Sequence, residues 1–203
     1  MKVLKRGAER SDRGVYIISD YLKEETLSTS YLYRGRIINV RQDRVKMHGG
    51  QTVFREIVEH PGAVAILALN DQGEAVLVRQ HRQPTGEILL EIPAGKLEAN
   101  ETPLECAQRE LLEETGLKSA QWRELCSFYP SPGFCNEIIY LFQAETLTEA
   151  VSPTSDPEEK IAVINVPLPK IWEMFTNGQI RDGKTIIALQ YALIQRTEIC
   201  HFI

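Results

Sequence analysis

A helix with clear start and stop signals occupies the middle of this chain, within the stretch GKLEANETPLECAQRELLEETGL at residues 95–117. Thr102 is a typical N-cap residue, Pro103 suits the first helical position, and Glu105 completes a capping box with Thr102. Gly116 is typical of the residue that follows a helix, because glycine adopts left-handed backbone angles without strain. These signals predict a helix between Thr102 and Gly116.

The two faces of this helix differ in polarity when its residues are placed about 100° apart. The apolar face predicts contact with a core and carries Leu104, Ala107, Leu111 and Leu112. The opposite face brings three carboxylates together, those of Glu110, Glu113 and Glu114. Like charges one turn apart destabilise a helix, so either solvent screens them or a cation meets them. Because Mg²⁺ binds through one or two carboxylates, waters and phosphate oxygens, the face is either a solvated acidic surface or a metal platform for a phosphate chain.

The sequence on both sides of the helix predicts strands, and the order of elements favours a mixed α/β layered domain. Residues 1–58 are polar and β-leaning, which predicts a small antiparallel β domain with a turn at Gly49-Gly50. Residues 59–203 form the second predicted domain. Its expected elements are a hairpin of AVAILALN and EAVLVRQHR around Asp71-Gln72-Gly73, strands in EILLEIPAG, WRELCSFYPS and NEIIYLFQAE, and helices around Pro169–Thr176 and Asp182–Gln195.

Charge and composition exclude several classes of function. The 203 residues carry a net charge of −5 at pH 7, so we expect no general attraction to nucleic acid or to an anionic membrane. The apolar run AVAILAL is too short to span a bilayer, and the basic N-terminus leads into no apolar stretch typical of a secretory signal. The four cysteines have no zinc-like spacing. We therefore expect a cytoplasmic protein with reduced thiols and a small-molecule partner.

The acidic stretch matches the box that marks the Nudix hydrolases: Gly, five residues, Glu, seven residues, Arg-Glu, an aliphatic, any residue, Glu-Glu, any residue, Gly, an aliphatic. The matching residues are Gly95, Glu101, Arg109, Glu110, Leu111, Glu113, Glu114, Gly116 and Leu117. At roughly 7% background for each fixed position, chance produces such a match on the order of once in 10⁷ chains of this length. The chain thus resembles a family with an α/β/α sandwich and a mixed sheet that cleaves nucleoside diphosphates linked to another moiety.

This resemblance implies a divalent metal site on the acidic face. Glu110 and Glu114 match the principal metal ligands of the family, with Glu113 beside them. The backbone carbonyl of Ala94 completes the implied site. The implied cofactor is Mg²⁺, with Mn²⁺ as the alternative.

Other positions of the box are implied to support that site rather than to bind the metal. Arg109 and Glu101 match positions that pair to brace the loop against the helix. Gly95 is expected to supply the backbone shape of the strand-to-loop turn. Gly116 ends the helix.

Further segments resemble the ADP-ribose pyrophosphatase group of the family. They are IPAGKLE at Ile92–Glu98, SPGF at Ser131–Phe134, the VRQHRQP segment, and Pro132, which stands sixteen positions after the last glycine of the box. The resemblance implies hydrolysis of ADP-ribose to AMP and ribose 5-phosphate. Because RDGKT at Arg181–Thr185 also resembles GDP-mannose-cleaving relatives, another nucleoside diphosphate sugar stays an alternative. A non-catalytic nucleotide-binding module is the alternative from another class.

Substrate contacts are implied for three residues outside the box. Arg55 and Arg82 match positions at which the group uses arginines against the diphosphate or the terminal ribose, and a guanidinium suits phosphate oxygens. Phe134 lies in the SPGF segment. For each arginine, a surface ion pair is the alternative interpretation.

The general base of the group is a glutamate in a polar loop, here SDPEEKIAV at Ser155–Val163. Alignment on the isoleucine that follows favours Glu159, with Glu158 next, as the residue that activates the attacking water. An exposed loop acid without a catalytic role is the alternative for each.

Members of the group are usually homodimers whose N-terminal strands help bind the adenine. Tyr31, Tyr33 and Phe54 are therefore candidates for stacking on a base. Packing within the strands is the alternative for each of them.

Overall fold

The computed structural model describes residues 8–10, 16–18, 22–150 and 160–201, which fall into two compact units. The first unit comprises residues 1–60 together with Gly133–Asn136, and the second comprises residues 61–132 and 137–203. The boundary predicted after residue 58 stays a prediction, while the structure divides the chain after His60 and assigns the short segment at 133–136 to the first unit.

The first unit is built from antiparallel strands. β1 (Ala8–Arg10) pairs with β2 (Tyr16–Ile18), and a separate sheet has the order β3-β4-β5, with β3 at Glu25–Arg34, β4 at Asn39–Lys46 and β5 at Thr52–Glu59. The turn between β4 and β5 places Gly50 at φ 83°, in the left-handed region that glycine reaches without strain. The predicted antiparallel arrangement with a turn at Gly49-Gly50 is confirmed.

The second unit contains two sheets and three helices. Its strands are β6 (Ala63–Ala68), β7 (Glu74–Arg82), β8 (Glu87–Glu91), β9 (Ala94–Lys96), β10 (Leu117–Phe128), β11 (Ile139–Glu149) and β12 (Ile161–Pro167). One sheet has the order β10-β11-β6-β9, in which β11 and β6 run parallel and the other pairs run antiparallel. The other sheet, β12-β7-β8, is antiparallel throughout. The mixed sheet expected from the sequence is confirmed.

The predicted hairpin of β6 and β7 is wrong. The chain does turn back at residues 70–73, where Asn70 Oδ1 accepts hydrogen bonds from the N–H groups of Gln72 and Glu74, both at 3.0 Å. Beyond one isolated bridge between Leu69 and Ala75, however, each strand pairs with other partners. All six residues of β6 are buried, and β11 and β9 occupy its two edges. Because β6 has no remaining edge, β7 joins the second sheet.

β6 lies between two clusters of buried side chains, and this explains why its sequence is apolar at every position. Its residues alternate between the clusters, with Ala63, Ala65 and Leu67 in one and Val64, Ile66 and Ala68 in the other. The first cluster includes Ile171 of α2 (Leu168–Thr176) and Leu189 of α3 (Gly183–His201). The second includes Leu111 of α1 (Pro103–Thr115). Helices therefore cover both faces of β6, as an α/β/α sandwich requires.

The ends of α1 agree with the sequence signals. The Thr102 side chain accepts from the N–H of Glu105, the Glu105 side chain accepts from the N–H of Thr102, and Gly116 follows the helix at φ 71°. The predicted core-facing stripe is partly wrong, because Leu104 is 39% exposed. Cys106 takes the first buried position instead and packs in the cluster that contains Leu111.

Within the described residues, no helix combines the length and the apolar character needed to cross a membrane.

Candidate metal and active site

Glu110 lies directly against the backbone of Gly95. A Cβ atom at Gly95 would stand 1.8 Å from Glu110 Oε1, far inside any tolerated contact. The requirement for glycine is therefore space for the carboxylate, rather than the unusual backbone shape expected from the sequence. The Glu110 side chain is 14% exposed, so its carboxylate is held at a partly buried position where α1 meets β9.

Glu114 reaches the same segment of backbone one residue earlier. Its Oε2 accepts a hydrogen bond from the Ala94 N–H at 3.0 Å. Since Glu110 and Glu114 are four residues apart on α1, they lie on one face of the helix. The structure thus brings Ala94, Glu110 and Glu114 together. Glu113 is more exposed, with 35% of its side chain accessible.

Arg109 forms hydrogen bonds with three carboxylates of the acidic stretch. Its Nε and Nη2 donate to the two carboxylate oxygens of Glu101 at 2.8 and 3.0 Å, the bidentate geometry that guanidinium favours. Its Nη1 donates to Glu110 at 2.7 Å and to Glu113 at 3.0 Å. Nη2 also donates to the main-chain oxygen of Lys96 at 3.2 Å. One guanidinium therefore counters the repulsion among three carboxylates and ties α1 to the loop that precedes it.

The charges around Arg109 shift the pKa values of its neighbours. The hydrogen bonds from Arg109 lower the pKa of Glu101 to about 2, despite the opposing effect of partial burial. Hydrogen bonds to Glu101 and Glu110 raise the pKa of Arg109. Burial, reinforced by the nearby Glu101, raises the pKa of the Cys106 thiol to about 12. The carboxylate is therefore charged and the thiol is neutral at physiological pH.

The donors on this face suit a hard divalent cation. Carboxylate and backbone carbonyl oxygens are the ligands that Mg²⁺ prefers, and the missing Cβ at Gly95 lets Glu110 and Glu114 approach the same backbone segment. In the arrangement that the structure describes, no group of three or more His, Cys, Asp or Glu side chains is positioned to hold a metal ion. Arg109 instead contacts both Glu110 and Glu113. The oxygen donors of the site fit such a cation, and in the described arrangement the carboxylates of Glu110 and Glu113 are hydrogen-bonded to Arg109.

A second charged cluster is centred on Glu91, which is 1% exposed. Arg82 donates to its two oxygens from Nε at 2.8 Å and from Nη2 at 2.7 Å. The Lys184 ammonium contacts the same carboxylate and also donates to Asp182 at 3.0 Å. Burial favours the protonated form of Glu91, but Arg82 and Lys184 together outweigh it and lower the pKa of Glu91. The result is a buried carboxylate that keeps its charge between two cations.

Arg82 links this cluster to the acidic face of α1. Its hydrogen bonds to Glu91 raise the pKa of Arg82, and the charges of Glu114 and Asp182 add to that effect. Sequence reasoning named Arg82 as a substrate contact but missed Glu91 and Lys184. The RDGKT segment was the available signal for Lys184. For Glu91 the signal was a charged residue within the apolar strand pattern of EILLEIPAG.

The other predicted site residues lie elsewhere. In the first unit, Arg55 donates to Glu24 at 3.0 and 2.5 Å. This is the surface ion pair that was the alternative interpretation of Arg55. The side chain of Phe134 is 57% exposed, and its main-chain oxygen accepts from the N–H of Val58 at 2.7 Å. Glu158 and Glu159 lie outside the described residues.

The three N-terminal aromatic residues are also placed by the structure. Tyr31, Tyr33 and Phe54 are 40%, 58% and 61% exposed. The Tyr31 hydroxyl donates to Glu59 at 3.4 Å, and the Arg34 guanidinium lies 3.6 Å from the centre of the Tyr31 ring. Tyr31 is therefore engaged within its own sheet.

Two family profiles match this chain, one over most of the first unit and one over most of the second. A family profile described as "NUDIX domain" matches residues 59–189, and one described as "Nucleoside diphosphate sugar hydrolase N-terminal domain" matches residues 24–58. A curated relative named "Methanol dehydrogenase activator", from Bacillus methanolicus, is 41% identical over 85% of this chain and 94% of its own length. An "ADP-ribose pyrophosphatase" from Bacillus subtilis (strain 168) is 39% identical over 84% of this chain and 92% of its own length.

Two further similarities extend the comparison. A "GDP-mannose pyrophosphatase" from Yersinia pestis (strain Pestoides F) is 38% identical over 70% of this chain and 75% of its own length. A solved structure titled "Crystal structure of ADP compounds hydrolase" superposes with a TM-score of 0.76, covering 89% of this chain and 97% of that one at 20% identity. At that identity the likeness concerns the fold.

The Glu101–Arg109 pair predicts how the free energy of unfolding depends on pH. Because the folded-state pKa of Glu101 is about 2 against an ordinary value of 4.5, the pair stabilises the fold fully above pH 4.5 and loses that effect as the pH falls towards 2. Urea unfolding at pH 5, 4 and 3 should therefore show a free-energy difference between wild type and Glu101→Gln that shrinks with falling pH. The exposed Glu98→Gln is the matched control. A difference independent of pH contradicts the assignment.

Proposed function

The chain belongs to the Nudix family, and on that premise we propose that it hydrolyses the pyrophosphate bond of ADP-ribose to AMP and ribose 5-phosphate. The observation that carries the proposal is the meeting of Glu110 and Glu114 at the backbone of Ala94 and Gly95. The relative named ADP-ribose pyrophosphatase, similar along nearly its whole length, supports the choice of substrate. We propose Mg²⁺ as the cofactor, with Mn²⁺ as the alternative.

The proposed metal ligands are Glu110, Glu113, Glu114 and the Ala94 carbonyl. A bound divalent ion would supply neutralisation of the pyrophosphate charge and polarisation of a phosphorus centre. The residues of the chain provide the rest. Gly95 leaves room for the Glu110 carboxylate, and the Ala94 N–H holds Glu114. Arg109, bound to Glu101 through two hydrogen bonds, fixes the helix relative to the loop.

Arg82 is the proposed contact for the diphosphate in the second unit. Its Nε and Nη2 are used by Glu91, which orients the guanidinium and leaves Nη1 for a further acceptor. The side chain is 38% exposed, so an anion can reach it. In the first unit, Arg55 and Phe134 are the proposed additional contacts, and Arg55 then exchanges its exposed partner Glu24 for the substrate.

The decisive experiment is product analysis by ion-exchange chromatography with ADP-ribose, GDP-mannose, UDP-glucose, NADH and a dinucleoside tetraphosphate in the presence of Mg²⁺. We expect AMP release from ADP-ribose to exceed turnover of the other substrates. Glu114→Gln should lower this rate on the order of 10²–10³-fold, the equivalent of several kcal/mol of metal-dependent stabilisation. The variant should fold normally, because a glutamine oxygen still accepts from the Ala94 N–H.

The exposed Glu98→Gln, in the same acidic stretch, is the matched control and should retain wild-type turnover. Near-wild-type turnover by Glu114→Gln refutes the metal platform. Preference for GDP-mannose keeps the metal chemistry but replaces the substrate. A folded protein with no turnover of any substrate, with Mg²⁺ or with Mn²⁺, supports a nucleotide-binding module instead.

The general base is proposed to be Glu159, with Glu158 as the alternative, in the sequence segment before β12. Glu159→Gln should lower turnover by about 10²–10⁴-fold, the usual contribution of a general base, and leave metal affinity unchanged. Glu158→Gln is the matched variant, and the two should differ in rate at saturating Mg²⁺. An unchanged rate in Glu159→Gln together with a large loss in Glu158→Gln moves the role to Glu158, and two unchanged rates exclude both residues as the base.

GDP-mannose stays the second candidate substrate, favoured by the RDGKT segment at Arg181–Thr185 and by the relative named GDP-mannose pyrophosphatase. The relative named methanol dehydrogenase activator suggests an additional action on a dehydrogenase. Assay of a purified methanol dehydrogenase with wild type and with Glu114→Gln separates an effect of hydrolysis from an effect of binding. A dehydrogenase rate unchanged by either protein rejects that action.

We also propose a cytoplasmic homodimer formed through the first unit. β3 is an edge strand, and all ten of its residues are exposed. These exposed residues include the large side chains of Leu27, Tyr31, Leu32 and Tyr33. An exposed edge with apolar side chains is typical of a strand that pairs with or packs against another chain. Free thiols at Cys106, Cys126 and Cys135 suit a reducing compartment.

Sedimentation equilibrium at micromolar concentration tests the dimer. Wild type should have twice the 23.0 kDa mass of one chain. Leu32→Glu, at a position 59% exposed, should shift the protein to the monomer because it places a charge in the proposed interface. The control is Trp172→Glu, which alters another exposed apolar residue, on α2. A wild-type monomer, or equal dissociation by both variants, rejects the proposed interface.

A further inference from the structure

The two residues Ile92 and Pro93 carry the chain from one sheet to the other. β8 ends at Glu91 in the sheet β12-β7-β8, and β9 begins at Ala94 in the sheet that contains β6. The connection lies outside both strands, and Pro93 has no N–H to donate. The Pro93 carbonyl accepts from the Ile66 N–H at 2.8 Å. The course of the connection is therefore held by this bond to β6 and by the group that binds the N–H of Ile92.

That N–H donates to the side-chain oxygen of Thr185 at 2.8 Å. Ile92 and Thr185 are 1% and 0% exposed, so water has no access to replace the bond. The Thr185 hydroxyl in turn donates to Asp182 Oδ2 at 2.5 Å, and the same carboxylate oxygen accepts from the Thr185 N–H at 3.0 Å. Asp182 thereby caps α3 and fixes the direction in which the hydroxyl accepts.

The first turn of α3 holds the preceding residue of β8 as well. Lys184 contacts the buried Glu91, one position before Ile92. Two successive residues of the chain are thus bound by two successive residues of α3, one through an ion pair and one through a hydrogen bond. From Ile92 it is two residues to Ala94, whose N–H binds Glu114.

We propose that Thr185 is a positioning residue for the metal site: its hydroxyl, oriented by Asp182, sets the backbone path from Ile92 to Ala94 and so places the Ala94 carbonyl. This inference rests on the proposed function, which makes that carbonyl a metal ligand. Thr185 acts through the connection and not by contact with the metal. Groups that orient ligands in this way affect metal affinity by about 10–100-fold when they are removed.

The test compares Thr185→Val, Thr185→Ser and Thr185→Ala with wild type. Valine keeps the shape of threonine but leaves the Ile92 N–H without an acceptor, whereas serine keeps the hydroxyl. Thr176→Val is the matched control, because it removes a hydroxyl that bonds its own helix at Glu173. Two readouts are used: the Mg²⁺ concentration that half-saturates the increase in melting temperature, and the KM for ADP-ribose and the Mg²⁺ dependence of its hydrolysis.

We expect Thr185→Val and Thr185→Ala to raise the half-saturating Mg²⁺ concentration on the order of tenfold in both the thermal and the kinetic titration. The KM for ADP-ribose at saturating Mg²⁺ should stay within about twofold of wild type, since Arg82 is held by Glu91 and not by Thr185. Thr185→Ser should rescue the metal dependence, and Thr176→Val should retain it. A purely structural hydroxyl would lower the melting temperature of Thr185→Val without changing its half-saturating Mg²⁺ concentration.

Each other outcome decides against the proposal. Equal Mg²⁺ dependence in Thr185→Val and wild type overturns the inference while the proposed function stands. Failure of both Thr185→Val and Thr185→Ala to fold, with Thr185→Ser folded, assigns the hydroxyl to folding and overturns the positioning role. A wild type with neither hydrolysis nor a Mg²⁺-induced thermal shift overturns the proposed function, and this inference with it.

Discussion

The bidentate pair of Arg109 with Glu101 is the interaction on which the acidic site depends. Glu110, Glu113 and Glu114 crowd one face of a single helix, and like charges at this spacing disfavour the helix. Arg109 offsets that repulsion because one guanidinium contacts Glu101, Glu110 and Glu113 together. The bond to Glu101 matters most, since Glu101 precedes α1 and gives Arg109 an anchor outside the helix. A cation bound as proposed would take contacts of Glu110 and Glu113 from Arg109, while Glu101 would keep the guanidinium in place.

The buried carboxylate of Glu91 shows how the fold keeps a second charge close to that site. Glu91 is 1% exposed, and such burial penalises the charged form and acts to raise the pKa of the carboxylate. The two cations Arg82 and Lys184 outweigh this effect of burial, so that the pKa of Glu91 is lowered. The arrangement gives Arg82 a fixed orientation at low entropic cost, which suits a residue proposed to bind a diphosphate. It also joins β7, β8 and α3 at one point of the second unit.

Predictions from the sequence were most accurate where residues close together in the chain determine the structure. The capping box at Thr102 and the glycine at Gly116 determine the ends of α1 without help from distant residues, and both are confirmed. The Nudix family assignment came from the same stretch and is confirmed by the match over residues 59–189. The predicted hairpin of β6 and β7 is wrong because strand pairing is a competition among distant segments: the turn is present, but β11 and β9 take both edges of β6. The prediction that Leu104 faces the core is partly wrong because Cys106 fills the first buried position of the helix instead.

Sequence reasoning missed Glu91, Lys184 and the hydroxyl of Thr185 because their roles depend on contacts across 93 positions of the chain. Once those contacts exist, three distant elements converge on residues 91–96. α3 holds Glu91 and Ile92, β6 holds Pro93 and the start of β9, and α1 meets Ala94 and Gly95 through Glu114 and Glu110. The carbonyl of Ala94, which we propose as a metal ligand, belongs to the backbone and cannot be repositioned by a side-chain rotation. Its placement has to come from such neighbours, which is the physical basis for the positioning role proposed for Thr185.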